Sequence, residues 1–383
     1  MATPGLPGPV DTPPIVAPHR LRRWFLFWPV VTYLAIRLAN LAAVALVDLL
    51  THKSLRTDLF AWDGKWFISA AQHGWPRHLP MVNGHVVGNT SAFFPLYPLA
   101  IRGLSAATSL SPLTSGLVIS GATGLTAVLG VGMLVRNYAD EQRARRAALL
   151  FVLFPGTFVF SLAYSEGIAI SCLSFGLLAL LRKDWLLAGV LGLLASATSP
   201  IALAFVLSCA WCAGRESIRH RDWRSLAAPV LAPLGFLGFM LWLWAHTDVL
   251  SAWRLTERQG WQSYPSLVYP IHIVTRFVSN PIGPTETGQI LFIGTVVGVI
   301  GIVLATRQRQ PAPVLIYGVT AFVLAAVAAP VGLRPRFLLL AFPLVVAFGT
   351  YLRGRAYLGA VVVSTVLLAV VTALELGSTA VFP

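Results

Sequence analysis

The chain has 383 residues, of which 56% are hydrophobic and only 11% charged, and its mean hydropathy is +0.75. Soluble domains are about a quarter charged, so there are too few charges here for an aqueous surface, and a soluble enzyme is excluded. The net charge of +14 would suit a nucleic-acid partner, but the arginines fall in short clusters between apolar runs. That is the positive-inside pattern of a polytopic membrane protein, and no nucleic-acid partner is expected.

Residues 1–19 are rich in proline, hold little that could pack and read as a disordered cytoplasmic leader; residues 20–383 read as a single transmembrane domain. The run Trp24–Leu50 follows Arg20, Arg22 and Arg23 and is too long for a signal-peptide core, so it reads as an uncleaved first helix. Further apolar runs lie at 113–135, 147–163, 166–181, 186–198, 200–213, 226–246, 289–306, 312–330, 337–352 and 356–376. The expected fold is therefore an all-α polytopic bundle of about 9–11 helices, several of them shorter than a straight span requires. Cys172, Cys209 and Cys212 all lie in apolar runs, and the isolated Cys209-x-x-Cys212 reads as small membrane-helix residues and not a redox or metal motif.

With the N-terminus in the cytoplasm, every cytoplasmic turn carries at least two cations, among them Arg136 to Arg146, Arg182 with Lys183, Arg215 to Arg224, Arg307 with Arg309, and Arg353 with Arg355. This holds only if 186–213 crosses twice, as two helices broken near Pro200. The outer side then receives the long connections 51–112 and 247–288 and the short turns near Glu166, Ser199 and Arg334. Long loops carry function more often than short ones, so the chemistry is expected on the outer face.

In the first outer loop, Asp63 is followed at helical spacing by Trp66, Phe67 and Ala70, with Gly74 placed to end the helix as a left-handed cap. Apolar surroundings make a carboxylate more basic, and indoles stack on sugar rings, so Asp63 with Trp62 and Trp66 is a candidate general base. The same residues also read as a helix-capping Asp with interfacial Trp anchors.

The run Trp62-Asp63-Gly64-Lys65-Trp66-Phe67, then His73-Gly74-Trp75, then Phe93-Phe94-Pro95-Leu96-Tyr97-Pro98 resembles the PIG-V-like branch (GPI mannosyltransferase 2) of the GT-C membrane glycosyltransferases. In the same order follow Tyr164-Ser165-Glu166, Ala197-Thr198-Ser199-Pro200, Trp253 with Gln259 and Trp261, and Pro335-Arg336-Phe337-Leu338 running into Ala341-Phe342-Pro343-Leu344. The resemblance spans about residues 24–352; the first loop is its specific part, and Ser199 stands where the family has an Arg. It implies a GT-C-type bundle with short helices in its long first extracytoplasmic loop. It also implies a mannosyltransferase that takes mannose from polyprenyl-phosphate-mannose by inverting attack and passes it to a lipid-linked or cell-envelope glycan, with Asp63 as base and Asp58 or Glu166 as substitutes.

Glu166, at an outer helix end, reads either as a positioning group or as the partner of an outer cation such as Arg336. Arg334 and Arg336 lie on the outer side against the charge rule, and Arg336 suits either a bidentate lipid phosphate or snorkelling to head groups. Lys65, Arg254 and Arg258 are further phosphate candidates; Tyr164, Gln259 and Trp261 complete the expected substrate-binding set. Phe93, Phe94 and Tyr97 read as a polyprenyl groove or as boundary aromatics. His73, His78 and His85 lack metal-ligand spacing. The chain has no DxD pair, as suits a lipid-phosphate donor, and no metal or other cofactor is expected.

An Arg- and Ala-rich, Lys-poor composition points to a bacterial plasma membrane, which leaves the acceptor open. The competing class is a polytopic transporter or flippase for a lipid or small anion. It would favour charges along the membrane midplane and two related halves, whereas Arg37 is almost alone in mid-span.

Overall fold

The structure, a computed structural model, describes residues 25–51, 62–280 and 286–377. The leader 1–19 and Asp58 lie outside the described residues. Seventeen α-helices follow in chain order: α1 (Phe27–Thr51), α2 (Asp63–His73), α3 (Leu96–Thr108), α4 (Pro112–Tyr138), α5 (Glu141–Leu153), α6 (Glu166–Leu181), α7 (Trp185–Ser196), α8 (Ala204–His220), α9 (Ala227–Leu231), α10 (Leu234–Thr247), α11 (Ala252–Leu255), α12 (Tyr269–Ser279), α13 (Glu286–Arg307), α14 (Ala312–Ala326), α15 (Pro335–Leu340), α16 (Phe342–Tyr351) and α17 (Gly354–Gly377). The strands are two short antiparallel pairs, β1 (Met81–Val82) with β2 (His85–Val86), and β3 (Tyr264–Pro265) with β4 (Ala328–Ala329).

Among the described residues four helices are long and apolar enough to cross a membrane, or up to six if each bent pair is one span, and five shorter apolar helices of 10–17 residues accompany them. The expected run 147–163 is not one rod: α5 meets the 3-10 turn Pro155–Ser161 at 69°, because Pro155 has no N–H to continue the ladder. Likewise 226–246 bends by 44° ahead of α10, at Pro233, and 337–352 is divided between α15 and α16 at Ala341. The break between α7 and α8 falls at Pro200 as expected, and the Ala197 carbonyl there accepts from the Leu96 N–H at 3.0 Å.

Helix packing follows the rule for lipid, where small and hydroxyl residues bring backbones together. The most extensive pair is α4 with α6, joined by Ser171 Oγ donating to the Thr123 carbonyl at 2.7 Å. By contrast, Leu358, Val362, Val363 and Val366 of α17 are exposed, as on a lipid-facing helix. The expected cytoplasmic turns pair with one another: Arg146 donates to the Leu352 carbonyl at 3.2 Å, and Lys183 lies 2.9 Å from Glu216.

One close approach bears on the site. A Cβ on Gly156 would collide with the Pro335 carbonyl and lie 3.1 Å from Leu339 Cβ, so only glycine lets this turn hold the start of α15. We expect Gly156→Ala to destabilise the protein by about 1–3 kcal/mol through overpacking and to displace Arg336. Thermal unfolding in detergent reads the first effect, and an unchanged midpoint would contradict the close contact.

Candidate functional site

The first long loop folds as its spacing predicts, with one correction. α2 starts at Asp63, but Trp62 is its N-cap residue and no side-chain cap hydrogen bond is made there. Trp62 takes φ +56°, uncommon for a bulky residue, and turns the chain so that Asp63 enters at the helix start. The capping role read from sequence is therefore not what this carboxylate does: Asp63 Oδ2 accepts from Arg336 Nη1 at 2.5 Å. Gly74 ends the helix with φ +80° and ψ −150°, so the positive φ expected there is present, though not the left-handed helical conformation. Arg102 Nε donates to the Ala71 carbonyl at 2.7 Å, a cation at the carbonyl end of α2.

Arg336 sits in the second position of α15 and brings three distant parts of the chain together. Besides Asp63, its Nη1 lies 4.0 Å from Glu166 Oε1 at the head of α6. The guanidinium lies over the Tyr164 ring at 5.3 Å and over the Phe337 ring at 4.4 Å. Arg336 and Glu166 side chains are 11% and 9% exposed, and Asp63 28%, so the cluster opens toward solvent on the Asp63 side. Snorkelling would have left Arg336 exposed; it is buried against carboxylates and rings. Glu166 takes its expected place near Arg336.

The Phe93–Tyr97 segment supports this cluster from behind. Phe93, Phe94 and Tyr97 are 8%, 3% and 0% exposed, so their rings pack in the protein core and do not line a lipid-facing groove. The Tyr97 hydroxyl is 2.8 Å from Ser120 Oγ, and Ser120 Oγ in turn donates to the Tyr164 carbonyl at 2.7 Å. That chain fixes the backbone under the ring on which Arg336 rests.

The late loop, between α10 and α12, closes over α2. Trp66 packs edge-on against Trp261 at 5.2 Å and stacks with Phe93 at 6.1 Å, so it is held inside an aromatic cluster and does not stand free as an anchor. Lys65 is exposed, its ammonium 5.4 Å from the Trp66 ring. Gln259 Oε1 accepts from the Val86 N–H at 2.7 Å, so this expected substrate residue ties the loop to the β1–β2 hairpin instead. Arg254 and Arg258 are exposed and make no ion pair with Asp63 or Glu166 among the described residues. Ser199 caps its own turn, accepting from Ile201 N at 3.4 Å. The loop is fastened at its far side by β3 on β4 and by the Tyr269 hydroxyl donating to the Pro330 carbonyl at 2.7 Å.

One residue that the sequence did not single out belongs here. Glu257 lies half-buried in a π turn, Thr256–Gly260, and such widened turns recur at functional sites. Burial, and then the nearby charge of Asp63, push its carboxyl up to about 7, while a hydrogen bond from Ser263 pulls the other way. Its signal was an acid between Trp253 and Trp261, the same acid-among-indoles pattern that marks Asp63.

Arg336 Nε, Glu166 Oε2 and Trp261 Nε1 are buried without a hydrogen-bond partner among the described residues; such groups suit a polar ligand. Among the described residues no three His, Cys, Asp or Glu side chains are grouped as metal ligands. Chemically, the cluster offers a partly open carboxylate, a guanidinium fork and an indole-lined wall.

Residues 26–212 match the family described as Mannosyltransferase (PIG-V). GPI mannosyltransferase 2 of Drosophila pseudoobscura pseudoobscura is 32% identical over 130 residues, which cover 31% of this chain and 26% of that protein, so the chain matches about a quarter of that relative's length. The oligosaccharyltransferase of Archaeoglobus fulgidus, in its apo form, superposes with a TM-score of 0.50 at 13% identity over 92% of this chain and 56% of that one, a likeness of fold alone. Arg336, Glu257 and the late-loop residues lie beyond the stretch matched to the family. Residues 26–212 are therefore similar to the PIG-V mannosyltransferase family, and the helical bundle shares its fold with the Archaeoglobus fulgidus oligosaccharyltransferase.

Proposed function

We propose that this integral membrane protein transfers mannose from polyprenyl-phosphate-mannose to a lipid-linked or cell-envelope glycan on the outer face of a bacterial plasma membrane, its N-terminus being cytoplasmic. The observation that carries this reading is the Arg336 guanidinium held between Asp63 and Glu166 beside an aromatic wall, in a chain whose residues 26–212 match the PIG-V mannosyltransferases. The lipid phosphate is already a good leaving group, so the protein has two tasks. Arg336 holds the phosphate with its fork of N–H donors. Asp63 takes the proton of the acceptor hydroxyl as the acceptor oxygen bonds to the anomeric carbon; the bond from that carbon to the phosphate oxygen breaks, and its electron pair leaves on the phosphate. Attack opposite the leaving group inverts the anomeric centre. Trp66 and Trp261 supply stacking surface for the sugar, and Glu166 and Tyr164 keep Arg336 in place.

A transporter reading would need charges along a path through the bundle. Arg37, the mid-span cation, instead donates to the Thr157 carbonyl at 2.8 Å and lies over the Tyr33 ring, which is a structural use. The test is transfer of radiolabelled mannose from polyprenyl-phosphate-mannose to a membrane glycolipid extract by purified protein. We expect label in the glycolipid fraction, and its absence would overturn the reading.

A further inference from the structure

The late loop runs into a helix whose surface has three sides. α12 turns Tyr269, Ile273 and Phe277, spaced one helical turn apart, toward the protein. Ile273 is buried, the Tyr269 hydroxyl donates to the Pro330 carbonyl at 2.7 Å, and Phe277 stacks face to face on Phe292 of α13 with ring centroids 3.8 Å apart. His272, Thr275, Arg276 and Ser279 make an exposed polar side. Between these two lies a third side, Ile271, Val274 and Val278, which is apolar and yet exposed, Ile271 by 60% and Val278 by 72%. Leu267, at the same helical spacing in the turn that enters α12, is exposed as well. A helix bounded only by protein and water needs one buried apolar side and one polar side. An additional uncovered apolar side, set between the other two, describes a helix with protein, lipid and water around it.

The seat of α12 on α13 says what covers that side. α13 is long and apolar enough to cross a membrane over Gly288–Arg307, and Phe292, Val296, Val299 and Val303 follow one another along it at helical spacing as a single stripe. The last three are exposed, as on a face turned to lipid. Phe292 begins the same stripe but is half-buried, because Phe277 covers it. α12 therefore lies on the lipid-facing side of a span, near the end where the span begins. Acyl chains that meet Val296 and Val299 continue onto Ile271, Val274 and Val278. α12 carries no Asp or Glu, and Arg276, exposed on its polar side, has the long stem and cationic head that suit a head-group phosphate.

We propose that α12 lies in the surface of the bilayer, with Ile271, Val274 and Val278 among phospholipid acyl chains and His272, Thr275, Arg276 and Ser279 at the head groups. The partner of this surface is lipid and not a second protein. Just before α12 the chain forms β3, which pairs with β4, and before that the turn whose Trp261 leans on Trp66 of α2. The lipid contact of α12 thus moors to the membrane the loop that closes over Asp63. This goes beyond the transfer reading and does not depend on it.

The experiment is photo-crosslinking of the full chain in the membranes in which it is expressed, with p-benzoylphenylalanine in place of Ile271, Val278, Thr275 or Ser279, one position at a time. All four side chains are exposed, so the larger ring is accommodated without repacking the fold. After irradiation, the mass of the purified chain and its migration on a denaturing gel separate phospholipid adducts from protein adducts. Ile271 and Val278 are expected to gain the mass of a phospholipid at about fivefold or greater yield than Thr275 and Ser279, as for an apolar side in the acyl region and a polar side in the head groups. Crosslinks from Ile271 and Val278 to a second copy of the chain or to another protein would overturn the inference. So would phospholipid adducts in equal yield at all four positions, or none at Ile271 and Val278. Each of these outcomes leaves the transfer reading standing, since that reading is tested by mannose transfer.

Discussion

Asp63→Asn is expected to lower kcat for mannosyl transfer by about 10²–10⁴-fold, the usual contribution of a positioned general base. The amide has the shape of the carboxylate, so α2 and its aromatic contacts stay in place, and Arg336 keeps Glu166 as a counter-ion 4.0 Å away. The variant also separates two roles for Asp63. If the carboxylate were only the partner of Arg336, neutralising it would free the guanidinium for the donor phosphate and lower the donor KM while leaving kcat within about tenfold. If it is the base, kcat collapses and the donor KM holds or falls. Steady-state kinetics against the donor, with the folded fraction checked by gel filtration in detergent, distinguishes them. A kcat within tenfold of wild type would remove Asp63 from the base role.

The parts of this site that were legible in the sequence share a physical cause. In a chain with 14 acidic residues, an acid flanked by indoles in an outer loop is conspicuous, and an arginine on the outer side needs a partner. Asp63, Glu166 and Arg336 could therefore be picked out before their contact was known, and the pairing of Glu166 with Arg336 was one of the two readings open for it. Composition and run length likewise reveal a helical membrane bundle, and the orientation of basic clusters groups the turns. What sequence could not supply was direction. The carboxylate of Asp63 was free to cap its own helix, and only the approach of α15, allowed by Gly156, takes it to Arg336. Gln259 carries hydrogen-bonding groups that suit a sugar or a backbone equally, and it binds a hairpin. Phe93, Phe94 and Tyr97 are as apolar as a lipid groove, but the burial of Phe93 and Phe94 depends on α10 and the late loop, elements distant in sequence. Glu257 was missed because its character comes from its burial and from Asp63, neither of which is local.

Arg336→Leu is expected to have two effects that can be separated. It leaves Asp63 and Glu166 without their cation; breaking a buried pair costs about 3–5 kcal/mol. Asp63 is 28% exposed and recovers part of that from water, so the lower end is expected, read as a drop in the thermal midpoint in detergent. It also removes the phosphate fork, so transfer is lost. Stability alone could explain the loss of transfer, and the double variant Arg336→Leu with Glu166→Gln addresses this: neutralising the more buried carboxyl should restore much of the midpoint without restoring transfer. Arg336→Lys keeps the charge but replaces a planar fork with a single ammonium. We expect it to hold most of the stability, keep a measurable kcat and raise the donor KM by about tenfold, the worth of one lost charge-assisted hydrogen bond. If the double variant recovered activity together with stability, Arg336 would be a structural counter-ion and the donor phosphate would bind elsewhere, with Lys65, whose ammonium lies over the Trp66 ring, the next cation to test.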